Sequence, residues 1–264
     1  MNVLGTEGRA ALVVAHPGHE LRVYGWLEKV RPCVFVLTDG SGRTGRSRLQ
    51  STTDILAGVG ALPGSVYGRF SDLALYQAIL RHDYQLFAGL ARELADEFLR
   101  EQIEYAAGDS ADGYNTVHDV CRLVLDAALE MVGHARGMSI GNYDFHLKGR
   151  LDECPAPLRD RAIWLHLDDD AVGRKLKAAN DYPELAAEVE AAISENEAGA
   201  FRIECLRPVE GNNGNERFAT EKPYYEKHGE RQMTAGYYKH VIRYREHILP
   251  LAEALRESIE GNCR

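Results

Sequence analysis

Ala10-Ala-Leu-Val-Val-Ala-His-Pro-Gly-His-Glu20 joins a six-residue apolar run to a polar turn that carries two imidazoles. The run Ala10–Ala15 is too short for a helix and rich in valine. It reads as a strand buried on both faces, and therefore as a parallel one. Pro17 sits where a first helical turn can begin, because its missing N–H costs nothing there. Leu21 to Val30 follows as a helix, and Cys33-Val-Phe-Val-Leu37 as a second buried strand ended by Thr38-Asp39-Gly40-Ser41-Gly42. Strand, helix and strand make a βαβ unit, with a right-handed crossover expected. The two histidines are either part of a metal site or a tight turn that happens to hold two imidazoles.

Outward from this unit the pattern continues. Thr52–Gly60 reads as helix, Ser65–Arg69 as a third strand, Tyr76–Arg100 as mostly helix and Ile103–Ala106 as another short strand. After Gly113-Tyr-Asn-Thr-Val-His-Asp119, the apolar positions Val120, Leu123, Val124, Ala127 and Met131 follow the spacing of one helical face. Ser139–Leu147 and Ala162–Leu167 read as strands. Asp168–Ala198 reads as helical, with Pro183 opening its second half and Gly199 closing it. Phe201–Leu206 alternates as an edge strand, Gly211–Glu216 is loop, and the tail from Glu221 ends in a helix that Pro250 starts or kinks. This is an α/β chain: one α/β domain over residues 1–205, and a helical extension over 206–264 packed on it as a lid or a subunit contact, through which the chain would form a homo-oligomer.

Composition narrows the functions. The chain has 264 residues, 45% apolar and 27% charged, as a globular protein does. No apolar run approaches the ~20 residues that span a bilayer. The net charge of −9 argues against general binding to nucleic acid or anionic membranes, which needs a basic footprint. The first residues lack the pattern of a signal peptide. Cysteines at 33, 121, 154, 205 and 263, an odd count without Cys-x-x-Cys, suit free thiols in a reducing cytoplasm.

Ligands in open parallel sheets collect beyond the carboxyl ends of the strands. His16 and His19 follow the first strand, and His118 follows a later one in the first turn of a helix. Three imidazoles meeting there would make a three-ligand zinc site with an open fourth position. The helix macrodipole keeps a histidine at its N-terminus neutral, as a metal ligand must be. Thr116 and Asp119 suit the N-cap and N3 positions of a capping box. Arg43, Arg46 and Arg48 form a basic loop, by default a solvated surface. His134, His146, His166 and His247 read as structural.

These residues resemble the PIG-L/LmbE-like family of zinc-dependent N-acetylglucosamine-type deacetylases. That family's signature is an apolar strand followed by His-Pro-Asp-Asp-Glu, a second strand ending in Thr-Asp-Gly or Thr-Asn-Gly, an Arg opening the next helix, and a later His-x-x-His-like segment. Here these stand as His16-Pro17-Gly18-His19-Glu20, Thr38-Asp39-Gly40, Arg48 and Asn115-Thr116-Val117-His118. The resemblance implies a Rossmann-like, mostly parallel sheet with helices on both faces. It also implies one catalytic zinc held by His16, His19 (in place of an Asp) and His118, with Arg48 anchoring substrate. The sequence departs from the family at four positions: Gly18 replaces the general-base Asp, His19 the ligand Asp, Asn115 the oxyanion-holding His, and Val117 the Asp before the last ligand.

Three neutral imidazoles leave zinc with a larger net charge than a His-Asp-His set, so its water is acidified more. Candidates for acid–base help are Glu20, Asp39, Asp112 and Asp119. Asn115 can donate to an oxyanion. Arg48, with Arg43 and Arg46, can anchor phosphate, carboxylate or sugar hydroxyls. Pro223-Tyr-Tyr-Glu-Lys-His228 and Tyr237-Tyr-Lys-His240 suit a lid, a subunit contact or plain core packing. The expected activity is hydrolysis, by a zinc-activated water, of an acyl (acetyl) group from a small polar substrate such as an amino sugar or glycoconjugate. The alternatives are a non-catalytic sugar-binding descendant and a redox enzyme holding iron on the three histidines.

Overall fold

In the computed structural model, residues 8–42, 44–195, 198–210, 218 and 220–261 are described. Arg43, the loop Gly211–Glu216 and Cys263 lie outside them.

The opening strand β1 (Ala10–Val14) is buried along its whole length. Neighbouring β2 (Cys33–Thr38) and β4 (Tyr105–Asp109) both run parallel to it, in the registers Leu12↔Val34 and Leu12↔Ala107. With β3 (Leu62–Phe70), β5 (Gly141–Phe145), β6 (Ile163–His166) and β7 (Ile203–Pro208), the sheet has the order β3-β2-β1-β4-β5-β7-β6. The first five strands are parallel, and β7 pairs antiparallel with both β5 and β6. The Phe201–Leu206 segment therefore becomes an interior strand, and β6 takes the edge.

Helices cover both faces because β1 alternates with period two. Ala11, Val13 and Ala15 share a core with Phe87, Leu94 and Val124, while Ala10, Leu12 and Val14 pack with Trp26, Leu27 and Leu56. The helices are α1 (Tyr24–Val30), α2 (Leu49–Val59), α3 (Asp72–Leu80), α4 (Tyr84–Arg100), α5 (Thr116–Arg136), α6 (Asp169–Asn180), α7 (Ala186–Glu195), α8 (Tyr224–Thr234) and α9 (Leu249–Gly261). The fold is α/β and Rossmann-like, with a helical C-terminal segment.

Several local readings change. The segment Tyr76–Arg100 is two helices: His82 takes a positive φ of 55°, and Asp83 caps α4 by accepting from Leu86 N. Asp168–Ala198 is likewise interrupted, where the Tyr182 ring is fully buried, and Gly199 lies inside a short 3-10 turn rather than closing a helix. Asn115, not Thr116, is the N-cap of α5. Pro250 is the second residue of α9, directly after the π-helical turn Tyr244–Ile248, so the chain is already helical where Pro250 lacks its N–H. The division at 205/206 cuts β7, and Tyr244, Ile248, Leu251, Leu255 and Ile259 belong to the same core as α4 and α5. Cys33, Cys121, Cys154 and Cys205 are free thiols. Among the described residues no helix is long and apolar enough to cross a membrane.

Candidate active site

The sheet order reverses beside β1, where α1 leaves to one side and α5, after β4, to the other. A crevice opens there at the carboxyl ends of β1 and β4. His16 and His19 enter it from the turn after β1, and His118 from the first turn of α5. The three rings stand edge to face, with centroids 5.3 Å apart for His16 and His19, 5.3 Å for His16 and His118, and 4.8 Å for His19 and His118. The turn holding the first two is locked from below. Glu20 is fully buried; its Oε2 accepts from Gly18 N (2.8 Å) and its Oε1 from Thr52 Oγ1 (2.7 Å). Both Glu20 oxygens thus serve the framework, and burial raises its pKa.

Each imidazole has a carboxylate near Nδ1. His16 Nδ1 lies 2.9 Å from Asp72 Oδ1 and 2.8 Å from Thr38 Oγ1. Thr38 gives its own proton to Ala15 O, so it accepts from His16, which places the ring proton on Nδ1 and the lone pair on Nε2. That Nε2 is buried with no hydrogen-bond partner. His19 Nδ1 lies 2.9 Å from Asp109 Oδ2, which also accepts from Ala15 N (2.7 Å). His118 Nδ1 is 3.7 Å from Asp112 Oδ2, longer than a hydrogen bond.

Burial disfavours the cationic form of all three rings. At His16 burial outweighs the Asp72 hydrogen bond, and the pKa falls to about 4. At His118 burial also wins, over Asp112. At His19 burial is overcome by the charge and hydrogen bond of Asp109, and the pKa rises.

The donor set suits zinc chemically: three imidazoles, carboxylates behind them that orient the rings as outer-shell partners do, and two orphaned buried ring nitrogens, His16 Nε2 and His118 Nδ1. The side chains as they stand are not a finished cage. Among the described residues no group of three or more His, Cys, Asp or Glu is arranged to hold a metal ion. The ring centroids nonetheless lie within 5.3 Å of one another.

The remaining sequence candidates fall around this cluster. Asn115 Oδ1 accepts from Val117 N and Tyr76 Oη, both at 2.9 Å, leaving its amide nitrogen without a partner among the described residues. Arg48 is half-buried and its guanidinium makes no ion pair among the described residues. Its stem flanks the turn, since a Cβ built on Gly40 would lie 3.1 Å from Arg48 Cδ and 2.9 Å from Pro17 Cδ. Asp39 Oδ1 is held by Ser41 N (2.9 Å). Asp119 is fully buried; its Oδ1 accepts from Gly113 N (3.0 Å), and its charge acts on Tyr225 and Tyr244 of the C-terminal segment. It fixes the loop before α5.

Asp72, Asp109 and Thr38 were not legible as site residues. Asp72 reads as an ordinary acidic residue in the first turn of a helix. Asp109 carries a usable signal, a carboxylate at the carboxyl end of a parallel strand, but the apolar run predicts a strand ending at Ala106, three residues before β4 ends.

Fold and site together define a Rossmann-like α/β protein with a histidine–carboxylate cluster at its topological switch point. No family model matches the chain, and no curated protein matches it. Two solved structures are similar in fold. A deacetylase triple mutant, Orf2*T, of the teicoplanin biosynthetic pathway aligns with TM-score 0.50 at 14% identity, covering 78% of this chain and 99% of that one. The A40926 pseudoaglycone deacetylase Dbv21 aligns with TM-score 0.49 at 18% identity, covering 76% and 96%.

Proposed function

We propose that this chain is a metal-dependent hydrolase that removes an acyl group from a small polar substrate, an amino-sugar derivative. The observation that carries the reading is the meeting of His16, His19 and His118 at the switch point, with the Nε2 of His16 buried and unpartnered. The Orf2*T likeness in fold is compatible with it. A zinc ion held by these three histidines would supply Lewis acidity, acidifying water and polarising the acyl carbonyl.

The chain's own residues supply the rest. Asp72 and Asp109 hold their imidazoles by Nδ1 and direct the second nitrogen of each ring elsewhere. The amide of Asn115, oriented by its capping bond, can donate to a developing oxyanion. Arg48 stands beside the turn as an anchor for polar substituents. Asp112 is the most accessible carboxylate of the cluster, its side chain 20% exposed against 0% for Asp109 and 9% for Asp72. Burial opposes its charge, but His118 holds its pKa below the usual carboxylate range, which keeps it ionised at neutral pH.

Elemental analysis of untreated protein and a deacetylation assay on N-acetyl amino sugars test the reading. We expect about one zinc per chain, as a single three-histidine site holds, and loss of both metal and turnover in His118→Ala. Bound sugar without turnover at saturating zinc would show a non-catalytic binder. Iron after anaerobic purification would show redox chemistry instead.

A further inference from the structure

A cavity of about 240 Å³ borders the histidine turn, with Gly18 in its wall. Leu21, Leu147, Leu151, Val189, Ile193 and Phe201 are among the apolar residues that line it. The cationic groups around it are already bonded. Arg22 donates to His146 O (3.0 Å) and Gly149 O (2.7 Å), Lys175 to Glu204 (2.7 Å), and Arg150 to Asp152 (2.6 Å). Glu188 is exposed at the rim. What the cavity offers is hydrocarbon surface.

The wall supplied by α7 points the same way. Leu185, just before α7, and Val189, Ala192 and Ile193 on it follow the spacing of an apolar helical stripe and line the cavity. Yet no residue of α7 is buried, and Ile193 remains 38% exposed. A helix that turns its apolar stripe to a cavity instead of to the core leaves that stripe for a ligand. The cavity also shares a wall with the candidate site, since Gly18 of the histidine turn lines it. Gly18 stands between His16 and His19, and the place where a Cβ on Gly18 would lie is 2.3 Å from Leu185 Cδ1. The position that carries a carboxylate in the resembling family is covered here by hydrocarbon.

We propose that this cavity takes the aliphatic chain of the substrate's acyl group, so that the preferred substrate is an amino sugar bearing a medium-chain acyl group rather than acetyl. This rests on the hydrolase reading above. In the reaction, water's oxygen joins the acyl carbon, the C–N bond breaks, and a proton passes to the leaving nitrogen. The products are a carboxylic acid and a free amine. At roughly 30 Å³ per water-sized unit, the cavity accommodates about eight chain carbons.

The test uses the full chain and glucosamines N-acylated with two to twelve carbons. Binding is read by calorimetry in EDTA and turnover with zinc. Affinity is expected to rise by up to about fourfold per methylene and to level off near eight carbons. Val189→Trp, which fills the cavity, and Ile193→Arg, at an exposed position, should abolish the chain-length dependence while leaving the acetyl compound's binding unchanged. Equal affinity for acetyl and octanoyl compounds, no binding of either, or a chain-length dependence that survives both substitutions overturns the proposal. Chain-length-dependent binding without turnover sustains it and overturns the hydrolase reading instead.

Discussion

Gly18 meets two independent constraints. Its φ of 101° and ψ of −17° lie where a side chain is strained, and Leu185 occupies the space a side chain would need. Restoring the acidic residue of the resembling family therefore does not restore a base. Gly18→Asp should lose about 1–2 kcal/mol to backbone strain and about 1–3 kcal/mol to displacement of Leu185, read as a lower urea midpoint, and should not raise turnover. Adding Leu185→Ala should recover the steric part only. A Gly18→Asp protein of undiminished stability would show that the turn is not held as described. At this scale the identities of His16, His19, His118 and Asn115 were legible, because a turn after a buried strand and a helix N-terminus are local features. Asp72 was not, because nothing local distinguishes an acidic residue that faces a distant imidazole from one that faces water, and Asp109 was hidden by a strand end predicted three residues too early.

Among the elements, α1 shows how a helix end is satisfied from a distance. Its N-cap, Val23, offers no side-chain hydrogen bond. The carboxylate of Glu204, on β7, accepts instead from Gly25 N and Trp26 N, both at 2.8 Å, and from Lys175 Nζ of α6 at 2.7 Å. The ammonium also donates to Arg22 O. Burial pulls the Lys175 pKa down and Glu204 opposes it. Because Glu204 and Lys175 are both buried, Glu204→Ala should cost about 3–5 kcal/mol in urea unfolding, leaving an unpaired ammonium and two orphan helix donors. Lys175→Met should cost less, since the carboxylate keeps both backbone donors and the helix dipole. Equal costs would contradict this account. The strands and most helices followed from periodicity. The breaks at His82 and Tyr182 did not, because the apolar spacing runs through both and the packing of neighbouring elements decides where the chain turns.

The whole molecule is one folding unit in which the C-terminal segment is structural. Ile248, Leu251, Leu255 and Ile259 are each no more than 3% exposed and pack with α4 and α5. Burying four such side chains stabilises the fold by about 6–12 kcal/mol, comparable to the net stability of a typical domain, about 5–15 kcal/mol. A chain ending at residue 220 should therefore lose its near-ultraviolet circular dichroism signal and aggregate on gel filtration; a cooperative, monodisperse truncated protein would refute this. The Tyr-rich segments divide accordingly. Tyr225 and Tyr244 are core residues, while Tyr224 stacks on Tyr114 with ring centroids 4.9 Å apart and Tyr237 is exposed.

By itself the sequence determined the order of strands and helices, the burial of the first two strands on both faces, and the placement of three histidines just beyond strand ends. All of these arise from spacing and turn chemistry within a few residues. Only the tertiary structure decided that the three rings meet, which carboxylates stand behind them, that β7 reverses direction inside the sheet, and that Leu185 covers Gly18. Apart from His16–His19 and His118–Asp112, those contacts join positions tens of residues apart, up to 167 for Gly18 and Leu185. They depend on how two cores close around one sheet, which no local pattern encodes.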